Sequence, residues 1–248
     1  MKTEEKLNMT MLCDFYELTM GNGYFQTGFK DRITYFDVYF RSVPDGGGFA
    51  IAAGLEQLIE YIEDLHFDEQ DIAYLRGKGI FCEEFLEYLR TFRFTGDIYA
   101  VPEGTPVFPK EPMVIVRAPA IEAQLVETFA LLTVNHQSLI ATKANRIARA
   151  AKGRGVMEFG SRRAQGTAAA IVGARAAYIG GCIGTACTHG RALRRARARH
   201  DGPRLGADVR HRVRRLQDLL RALSRQRHHA GGHLRHAPLR HPQRHPRL

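Results

Sequence analysis

The chain has 248 residues, of which 44% are hydrophobic and 25% charged, and its formal net charge is +10. This length and composition are typical of a globular protein with a sizeable core. No run of about 18 apolar residues occurs, which excludes a hydrophobic membrane span, and the N-terminal MKTEEKLNMT lacks the apolar core of a signal peptide, so we expect a cytoplasmic protein with no membrane partner.

The net charge is the sum of two segments of opposite character. Residues 1–188 hold 19 Lys and Arg against 23 Asp and Glu, which gives −4, whereas residues 189–248 hold 17 Arg and three Asp, which gives +14. The second segment also contains nine of the eleven histidines and no Lys, Glu, Phe, Tyr or Ile. We therefore expect a folded segment that ends near Thr188, followed by a strongly basic tail of a different composition.

Helix and strand patterns alternate through the first half of the folded segment. Asp14 is a candidate N-cap for a helix over 14–27, and the β-branched and aromatic residues of 32–41 predict a strand. The glycines Gly46–Gly48 predict a tight turn; a phosphate-binding loop is the alternative, but the G-x-G-x-x-G pattern is absent. Further helices are predicted at 51–63, 68–77 and 82–92, and short strands at 97–104 and 113–119.

A long helical pattern runs from Ile121 to Lys152 and ends at Gly153 and Gly155. The residues predicted to lie roughly on one face of it are Leu125, Phe129, Leu132, His136, Leu139 and Thr142.

A strand, a helix and a second strand follow at 156–160, 165–177 and 177–184, and this spacing predicts a parallel βαβ unit. Such a unit normally belongs to a longer α/β sheet or barrel, which two strands cannot complete. Arg162 and Arg163 come directly after the first of these strands, where α/β folds bind ligands. Since the arginine fork matches carboxylates and phosphates, the pair indicates a small anionic substrate. Cys182 and Cys187 lack nearby ligand histidines, so we predict no metal site there.

Seven motifs occur in one order along residues 8–188: Asp14-Phe15-Tyr16-Glu17-Leu18-Thr19-Met20, Phe40-Arg41, Gly54-Leu55-Glu56, Asn135-His136-Gln137-Ser138, Ala141-Thr142-Lys143, Glu158 to Gly166 (EFGSRRAQG) and Gly180-Gly181. In that order they closely resemble nicotinate phosphoribosyltransferases, and the resemblance does not extend over residues 189–248. The DFYELTM and GSRRAQG motifs favour the nicotinate enzymes over the related quinolinate and nicotinamide phosphoribosyltransferases.

The resemblance implies an α/β protein with an N-terminal α/β layer domain over 1–125 and the first helix and strands of an irregular (β/α) barrel over 126–188. It implies transfer of phosphoribosyl from 5-phosphoribosyl 1-pyrophosphate to nicotinate, with ATP as co-substrate, Mg²⁺ as metal, no tightly bound cofactor, and a homodimer in the intact family. By the same resemblance Tyr16 stacks on the nicotinate ring and Arg162 and Arg163 bind its carboxylate. The alternatives are a Tyr16 packed in the core and an Arg163 held in a salt bridge at the strand end.

The tail departs from the family where a segment of the type LYGVP.LGTMAHSW is expected, whose histidine the family phosphorylates. Back-translation of Arg194 to Arg210, started one base late, permits GVPALGTMAHAWVQMF, and His241 to Arg247 permits IPNAIRV. Because most bases of each shifted codon are already fixed, chance matches of this length are very improbable. We therefore predict a frameshift near residues 186–190, with the family's histidine encoded across the codons of Pro203 and Arg204. No catalytic residue is assigned in this chain.

The predicted consequence is a truncated enzyme without phosphoribosyl transfer, and a disordered tail over 189–248. The alternative is a non-enzymatic product whose arginine-rich tail binds nucleic acid without specificity through phosphate contacts. The complete absence of lysine and the out-of-frame match argue against a dedicated nucleic-acid arm.

Overall fold

A computed structural model describes residues 8–190 and 213–215. These residues all fall in the first of two units, which spans residues 1–216; the second, 217–248, lies outside the described part of the chain. No helix among the described residues is long and apolar enough to cross a membrane.

Most of the described helices and strands follow the predicted order, but the short strands at Ala50–Ile51, Pro106–Val107 and Val213–Arg215 were not predicted. The helices are α1 (Phe15–Gln26), α2 (Leu55–Asp64), α3 (Glu69–Arg76), α4 (Glu83–Arg90), α5 (Ala120–Gln124), α6 (Glu127–Ala150) and α7 (Thr167–Ile179). The strands are β1 (Ile33–Val38), β2 (Ala50–Ile51), β3 (Asp97–Ala100), β4 (Pro106–Val107), β5 (Val114–Pro119), β6 (Met157–Glu158), β7 (Gly184–Thr185) and β8 (Val213–Arg215).

A four-stranded sheet in the order β1-β5-β3-β8 forms the N-terminal layer with α1–α5. β5 is antiparallel to both β1 and β3, and β8 is parallel to β3. The main core contains the apolar residues of α2–α5 and of β3 and β5, including Leu58, Ile72, Phe85, Val116 and Ile121. Burial of these large side chains is the main contribution to the stability of the layer.

The N-terminal predictions are confirmed within a few residues, and helix caps explain some of the boundaries. Asp68 caps α3 by accepting hydrogen bonds from the backbone N–H groups of Gln70 and Asp71, both at 2.8 Å. The Pro44–Gly46 segment forms a 3₁₀ turn, to whose Pro44 carbonyl Arg146 donates a hydrogen bond of 3.1 Å. The glycine-rich loop is therefore a turn held by α6.

The predicted helix 121–152 is two helices, and the residues predicted to share one face are buried to different degrees. The break lies at Leu125 and Val126, between α5 and α6; Leu125 and Thr142 are buried, whereas Leu132 is 53% exposed. The buried residues of α6 are Ala130, Val134, Gln137, Ser138, Ala141, Thr142 and Ala144. Small and hydroxyl residues lie there because neighbouring backbones approach closely. Ile51 N–H of β2 donates to Thr142 Oγ1 at 2.8 Å, and Ala53 N–H donates to Ser138 Oγ at 3.0 Å.

The parallel βαβ unit is confirmed, since β6 and β7 pair in parallel with α7 between them. The second strand predicted at 177–184 is wrong in position: α7 continues to Ile179, and β7 begins only at Gly184. Gly180 ends the helix where a Cβ would stand 2.3 Å from the Ala141 carbonyl oxygen of α6. Any side chain at this position would push α6 and α7 apart.

The prediction of a disordered tail falls mostly outside the described residues. Of the range 189–248 the structure describes 189–190 and 213–215, and the latter form strand β8 against β3, which the tail prediction did not include. For the rest of the tail, and for the domain boundary predicted near residue 125, the prediction stands untested.

Glu17 of α1 is a fully buried carboxylate, and we expect it to impose a pH dependence on stability. Its Oε1 accepts hydrogen bonds from the backbone N–H (3.2 Å) and hydroxyl of Thr128, while Oε2 has no partner among the described residues. Burial raises its pKa above the ordinary value of 4.5, and the Thr128 hydrogen bonds partly oppose that rise. The folded state thus binds the proton more tightly, so stability contributed by Glu17 falls as the pH rises from 4.5 through the raised pKa.

The substitution Glu17→Gln keeps the acceptor for Thr128 but removes the ionisation. Urea unfolding at a series of pH values should show that the difference in unfolding free energy between variant and wild type moves in favour of the variant as the pH rises. Glu84→Gln, at an exposed position of α4, should leave the wild-type profile unchanged. A difference for Glu17→Gln that is the same at every pH would contradict the assignment.

Candidate functional site

The turn that carries Arg162 and Arg163 lies at the carboxyl end of β6. Ser161–Arg163 form a single 3₁₀ turn, closed by a hydrogen bond from Arg163 N–H to the Gly160 carbonyl at 2.8 Å. Both arginine side chains are exposed and make no ion pair or hydrogen bond to any residue that the structure describes. The alternative of a strand-end salt bridge for Arg163 therefore finds no partner within 8–190. The two exposed guanidinium groups make this turn positively charged and chemically suited to carboxylates and phosphates.

The N-terminus of α7 follows this turn immediately. Gly166 precedes the helix with a φ of 109°, no side chain caps the N-terminus, and the first turn contains no acidic residue. Its backbone N–H groups and the positive end of the helix dipole therefore reinforce the charge of the two arginines. The Ser161 hydroxyl, buried within the turn, has no partner in the described part of the chain.

Glu158, at the end of β6, connects the arginine turn to the second strand. One carboxylate oxygen accepts a hydrogen bond from Gly160 N–H at the start of the turn, and the other accepts from the Thr185 hydroxyl of β7. Backbone bonds from Ile183 to Val156 and from Ala186 to Glu158, both at 2.9 Å, hold the two strands together. The turn is thus fixed to the paired strands of the βαβ unit.

Tyr16 lies on a different element from the arginines. It is on α1, which packs against α4 and α5, and it is 42% exposed, so it is not a core residue. Partial burial and the carboxylate of Glu127, the first residue of α6, raise the pKa of Tyr16 to about 12. Its hydroxyl therefore stays protonated at neutral pH, and the exposed part of the ring is available to a ligand.

A cleft of about 360 Å³ lies elsewhere, between the end of β1 and α6. It is lined by Val38, Tyr39, Phe40, Arg41, Met113, Leu131, Leu132, Val134 and Asn135. None of the three predicted site residues lines it, although the Phe40-Arg41 and Asn135 motifs do.

The sequence patterns did not predict a buried ion cluster around Arg175 of α7. The guanidinium, whose side chain is 7% exposed, donates to both oxygens of Glu103, at 2.9 and 2.6 Å, and also to Glu56 of α2 and to Gln137 of α6. Glu103 also accepts hydrogen bonds from the backbone N–H groups of Gly54 (2.8 Å) and Leu55 at the start of α2. The cluster thus joins α2, α6 and α7, whose residues are far apart in the chain. The only feature of the sequence that indicates this cluster is the charge of Arg175 within the weakly polar stretch 168–187.

Comparison with known proteins identifies the family of this fold and motif order. The model of the nicotinate phosphoribosyltransferase N-terminal domain matches residues 11–135. The chain belongs to the nicotinate phosphoribosyltransferase family.

Two curated members of the nicotinate phosphoribosyltransferase family align with most of the chain. Nicotinate phosphoribosyltransferase pncB2 of Mycobacterium tuberculosis is 49% identical over 175 residues, which are 71% of this chain and 38% of that protein. The Bacillus subtilis enzyme is 39% identical over 178 residues, 72% of this chain and 36% of its own length. The chain thus spans less than two fifths of either relative.

The crystal structure of human nicotinic acid phosphoribosyltransferase superposes with a TM-score of 0.68 at 32% identity. The match covers 73% of this chain and 37% of the human chain. The predicted α/β fold class is confirmed by this match.

Proposed function

We propose that this chain carries nicotinate-binding residues of a nicotinate phosphoribosyltransferase. The reaction of the whole enzyme joins nicotinate to the phosphoribosyl group of 5-phosphoribosyl 1-pyrophosphate, with release of pyrophosphate and hydrolysis of ATP. The observation that supports the proposal is the exposed turn Ser161–Arg163, whose two arginines have no ion-pair partner within residues 8–190 and lie beside the N-terminus of α7, which no side chain caps.

The chemistry of nicotinate fits the charges of this turn. Its carboxylate accepts a bidentate hydrogen bond from one guanidinium and is further stabilised by the second arginine and by the α7 N-terminus. Its pyridine ring is flat and apolar, and an aromatic side chain such as Tyr16 offers a stacking surface for it. In this proposal the arginines select the acid and Tyr16 orients the ring.

Mg²⁺ and ATP are proposed as substrate-side components of the whole enzyme's reaction. No group of three or more His, Cys, Asp or Glu side chains that could hold a metal ion occurs in the described part of the chain, and Mg²⁺ commonly binds through one or two carboxylates together with substrate phosphates.

Nicotinate binding can be tested by comparing nicotinate with nicotinamide, which has the same ring but no carboxylate. We expect the 248-residue chain to bind nicotinate and to bind nicotinamide at least tenfold more weakly. Arg162→Met or Arg163→Met should each weaken nicotinate binding by roughly 10–100-fold, because a hydrogen bond to a charged group contributes about 1.5–3 kcal/mol. Isothermal titration calorimetry measures all four dissociation constants.

The matched control is Arg32→Met, which removes an exposed arginine that stacks on Phe29, far along the chain from the turn. It should leave nicotinate binding unchanged. Equal affinities for nicotinate and nicotinamide, or unaltered binding by both arginine variants, would overturn the proposed role of the turn.

We further propose that this chain does not complete phosphoribosyl transfer by itself. The support is its sequence from 189 onwards, which does not continue the family pattern, and the family's phosphorylated histidine has no counterpart among its residues. We also propose, from the family resemblance, that the intact enzyme is a homodimer and is located in the cytoplasm.

A second candidate function is binding of nucleic acid without specificity, and the 17 arginines of residues 189–248 favour it. Such binding depends on phosphate contacts and weakens steeply with salt. We expect the full chain to bind unrelated RNA sequences with equal affinity, and a variant ending at residue 190 to lose that binding. Fluorescence anisotropy at several salt concentrations measures both. RNA binding that is sequence-specific, or that survives removal of the tail, would contradict an electrostatic tail.

A further inference from the structure

A chain of hydrogen bonds runs from the segment after β7 to the arginine turn. The Cys187 backbone N–H donates to Thr185 Oγ1 at 3.0 Å, and the Thr185 hydroxyl donates in turn to one oxygen of Glu158. The other oxygen of Glu158 accepts from the Gly160 backbone N–H. Thr185 is only 5% exposed, so water does not compete strongly for its hydroxyl. Both oxygens of the Glu158 carboxylate are therefore used, one toward each end of the chain.

Gly160 passes this restraint directly to the arginines. Its N–H is held by Glu158, and its carbonyl accepts the Arg163 N–H at 2.8 Å, which closes the Ser161–Arg163 turn. A Cβ at position 160 would stand 2.8 Å from the Glu158 carboxylate oxygen, although the φ of −84° suits any residue. The missing side chain thus leaves room for the carboxylate rather than serving the backbone of the turn.

The side chains of Arg162 and Arg163 depend on this backbone restraint, because they make no ion pair or hydrogen bond to any other residue that the structure describes. Bidentate recognition of a carboxylate requires a guanidinium plane of defined direction. Where such side chains have no contacts of their own, the turn that carries them sets that direction.

We propose that Glu158 is a positioning residue, which fixes the arginine turn for binding of the nicotinate carboxylate, and that Thr185 is the partner it requires. The inference rests on the proposed function for the ligand, and on the Thr185–Glu158–Gly160 hydrogen bonds for the restraint. A turn that is already ordered loses little conformational entropy when a ligand binds, which favours affinity. Cys187 contributes only its backbone N–H, so the restraint is complete within residues 158–187, ahead of the basic tail.

A purely structural role for Glu158 would be to join β6 to β7 without any effect on a ligand. The order of the turn can be measured in the ligand-free full chain, through ¹⁵N relaxation of the Arg162 and Arg163 backbone N–H groups. We expect order parameters typical of rigid backbone, about 0.85, in the wild type and values below about 0.6 in Glu158→Ala. Thr185→Val, which has the shape of threonine but no hydroxyl, should lower them in the same direction, and Thr185→Ser should keep the wild-type values.

The matched control is Glu111→Ala. Glu111 is an exposed glutamate that likewise accepts a hydrogen bond from a backbone N–H, that of Phe108 at 3.0 Å, in the loop between β4 and β5. Its removal should leave the order of the arginine turn unchanged. If Glu158→Ala does not fold, Thr185→Val carries the test, because it leaves the packing nearly unchanged. Order parameters of the turn that are the same in both variants and in wild type would overturn the restraint, whether or not nicotinate binds.

The effect on the ligand is read from calorimetric titration of the folded variants. Glu158→Ala should weaken nicotinate binding by roughly tenfold, because binding must then also order the two arginines, and should leave the weaker binding of nicotinamide unchanged. Thr185→Val should weaken nicotinate binding in the same direction, and the double variant should bind no more weakly than Glu158→Ala, since both substitutions interrupt one chain. Thr185→Ser should restore the affinity. A purely structural role would leave the ratio of the two ligand affinities at its wild-type value.

A disordered turn with unchanged nicotinate affinity would overturn the positioning role, and so would additive losses in the double variant. Absence of nicotinate binding by the unsubstituted chain would overturn the proposed function and the ligand part of this inference. The relaxation measurements would then still decide whether Glu158 fixes the turn.

Discussion

Replacing Arg175 with methionine is expected to lower the free energy of unfolding by about 3–5 kcal/mol, because it leaves a buried carboxylate without its cation. The Glu103 side chain is only 9% exposed and pairs with both guanidinium nitrogens of Arg175. Methionine preserves most of the apolar stem and removes the charge, so that the loss reports the electrostatics rather than a cavity. Urea unfolding of wild type and variant measures it.

A double-mutant cycle separates the pair from general disruption. The variant Arg175→Met/Glu103→Gln should be less destabilised than the sum of its single substitutions, by about 0.5–3 kcal/mol of coupling, since the glutamine oxygen still accepts from Gly54 N–H. Arg76→Met breaks an ion pair with Glu83 that is exposed on the surface, and should change stability little. If Arg175→Met and Arg76→Met have equal effects, the cluster does not join the helices as described.

The arrangement of the Arg175 cluster explains which features could be predicted from the sequence. The parallel βαβ unit follows from a local pattern of strand, helix and strand, and the structure confirms it. The partners of Arg175 lie 38 to 119 positions away in the chain, at Gln137, Glu103 and Glu56. Periodicity within one helix carries no information about such distant partners, so a single charge in an apolar stretch was the only indication.

Two differences from the predictions have one physical cause. The face of α6 was predicted from helical spacing, but the helix also buries Ala141 and Ser138 and exposes Leu132, because β2 and α7 approach it at backbone distance. The apolar run 177–184 was assigned as a strand, but its first residues continue α7 and its glycines form the close crossing over α6. Where two backbones pack closely, the buried residues are small. Hydrophobic periodicity does not identify such a buried face, because small residues contribute little to the hydrophobic pattern.

The candidate site divides in the same way. The arginine pair could be located at a strand end from its local sequence, and it is found there on one turn. Glu158, which holds the arginine turn in place, bonds to Thr185 on another strand. The charged residues of the candidate site could thus be predicted from the local sequence. The residues that hold those side chains in position could not, because they bond to elements that are distant in the chain.

A large effect on enzyme activity is expected from restoring the reading frame that the family segment requires. The 248-residue chain should form no detectable nicotinate mononucleotide from nicotinate, 5-phosphoribosyl 1-pyrophosphate, ATP and Mg²⁺. Expression of the gene read one base later from about codon 190, through to the stop codon of that frame, should yield a longer protein that forms this product. The reason is that the shifted frame permits GVPALGTMAHAWVQMF over Arg194 to Arg210, which resembles the family segment that the present chain lacks.

Two further measurements make this prediction decisive. Resequencing codons 180–200 shows whether the recorded bases or the shifted frame belong to the gene. In the longer protein, replacing the histidine encoded across codons 203 and 204 with alanine should remove the dependence of the rate on ATP, if the coupling proposed from the family resemblance passes through that residue. Turnover by the 248-residue chain would instead mean that residues 1–190 suffice for catalysis. An inactive but folded longer protein would show that the match in the shifted frame does not restore the enzyme, and would leave nicotinate binding as the testable property of the arginine turn.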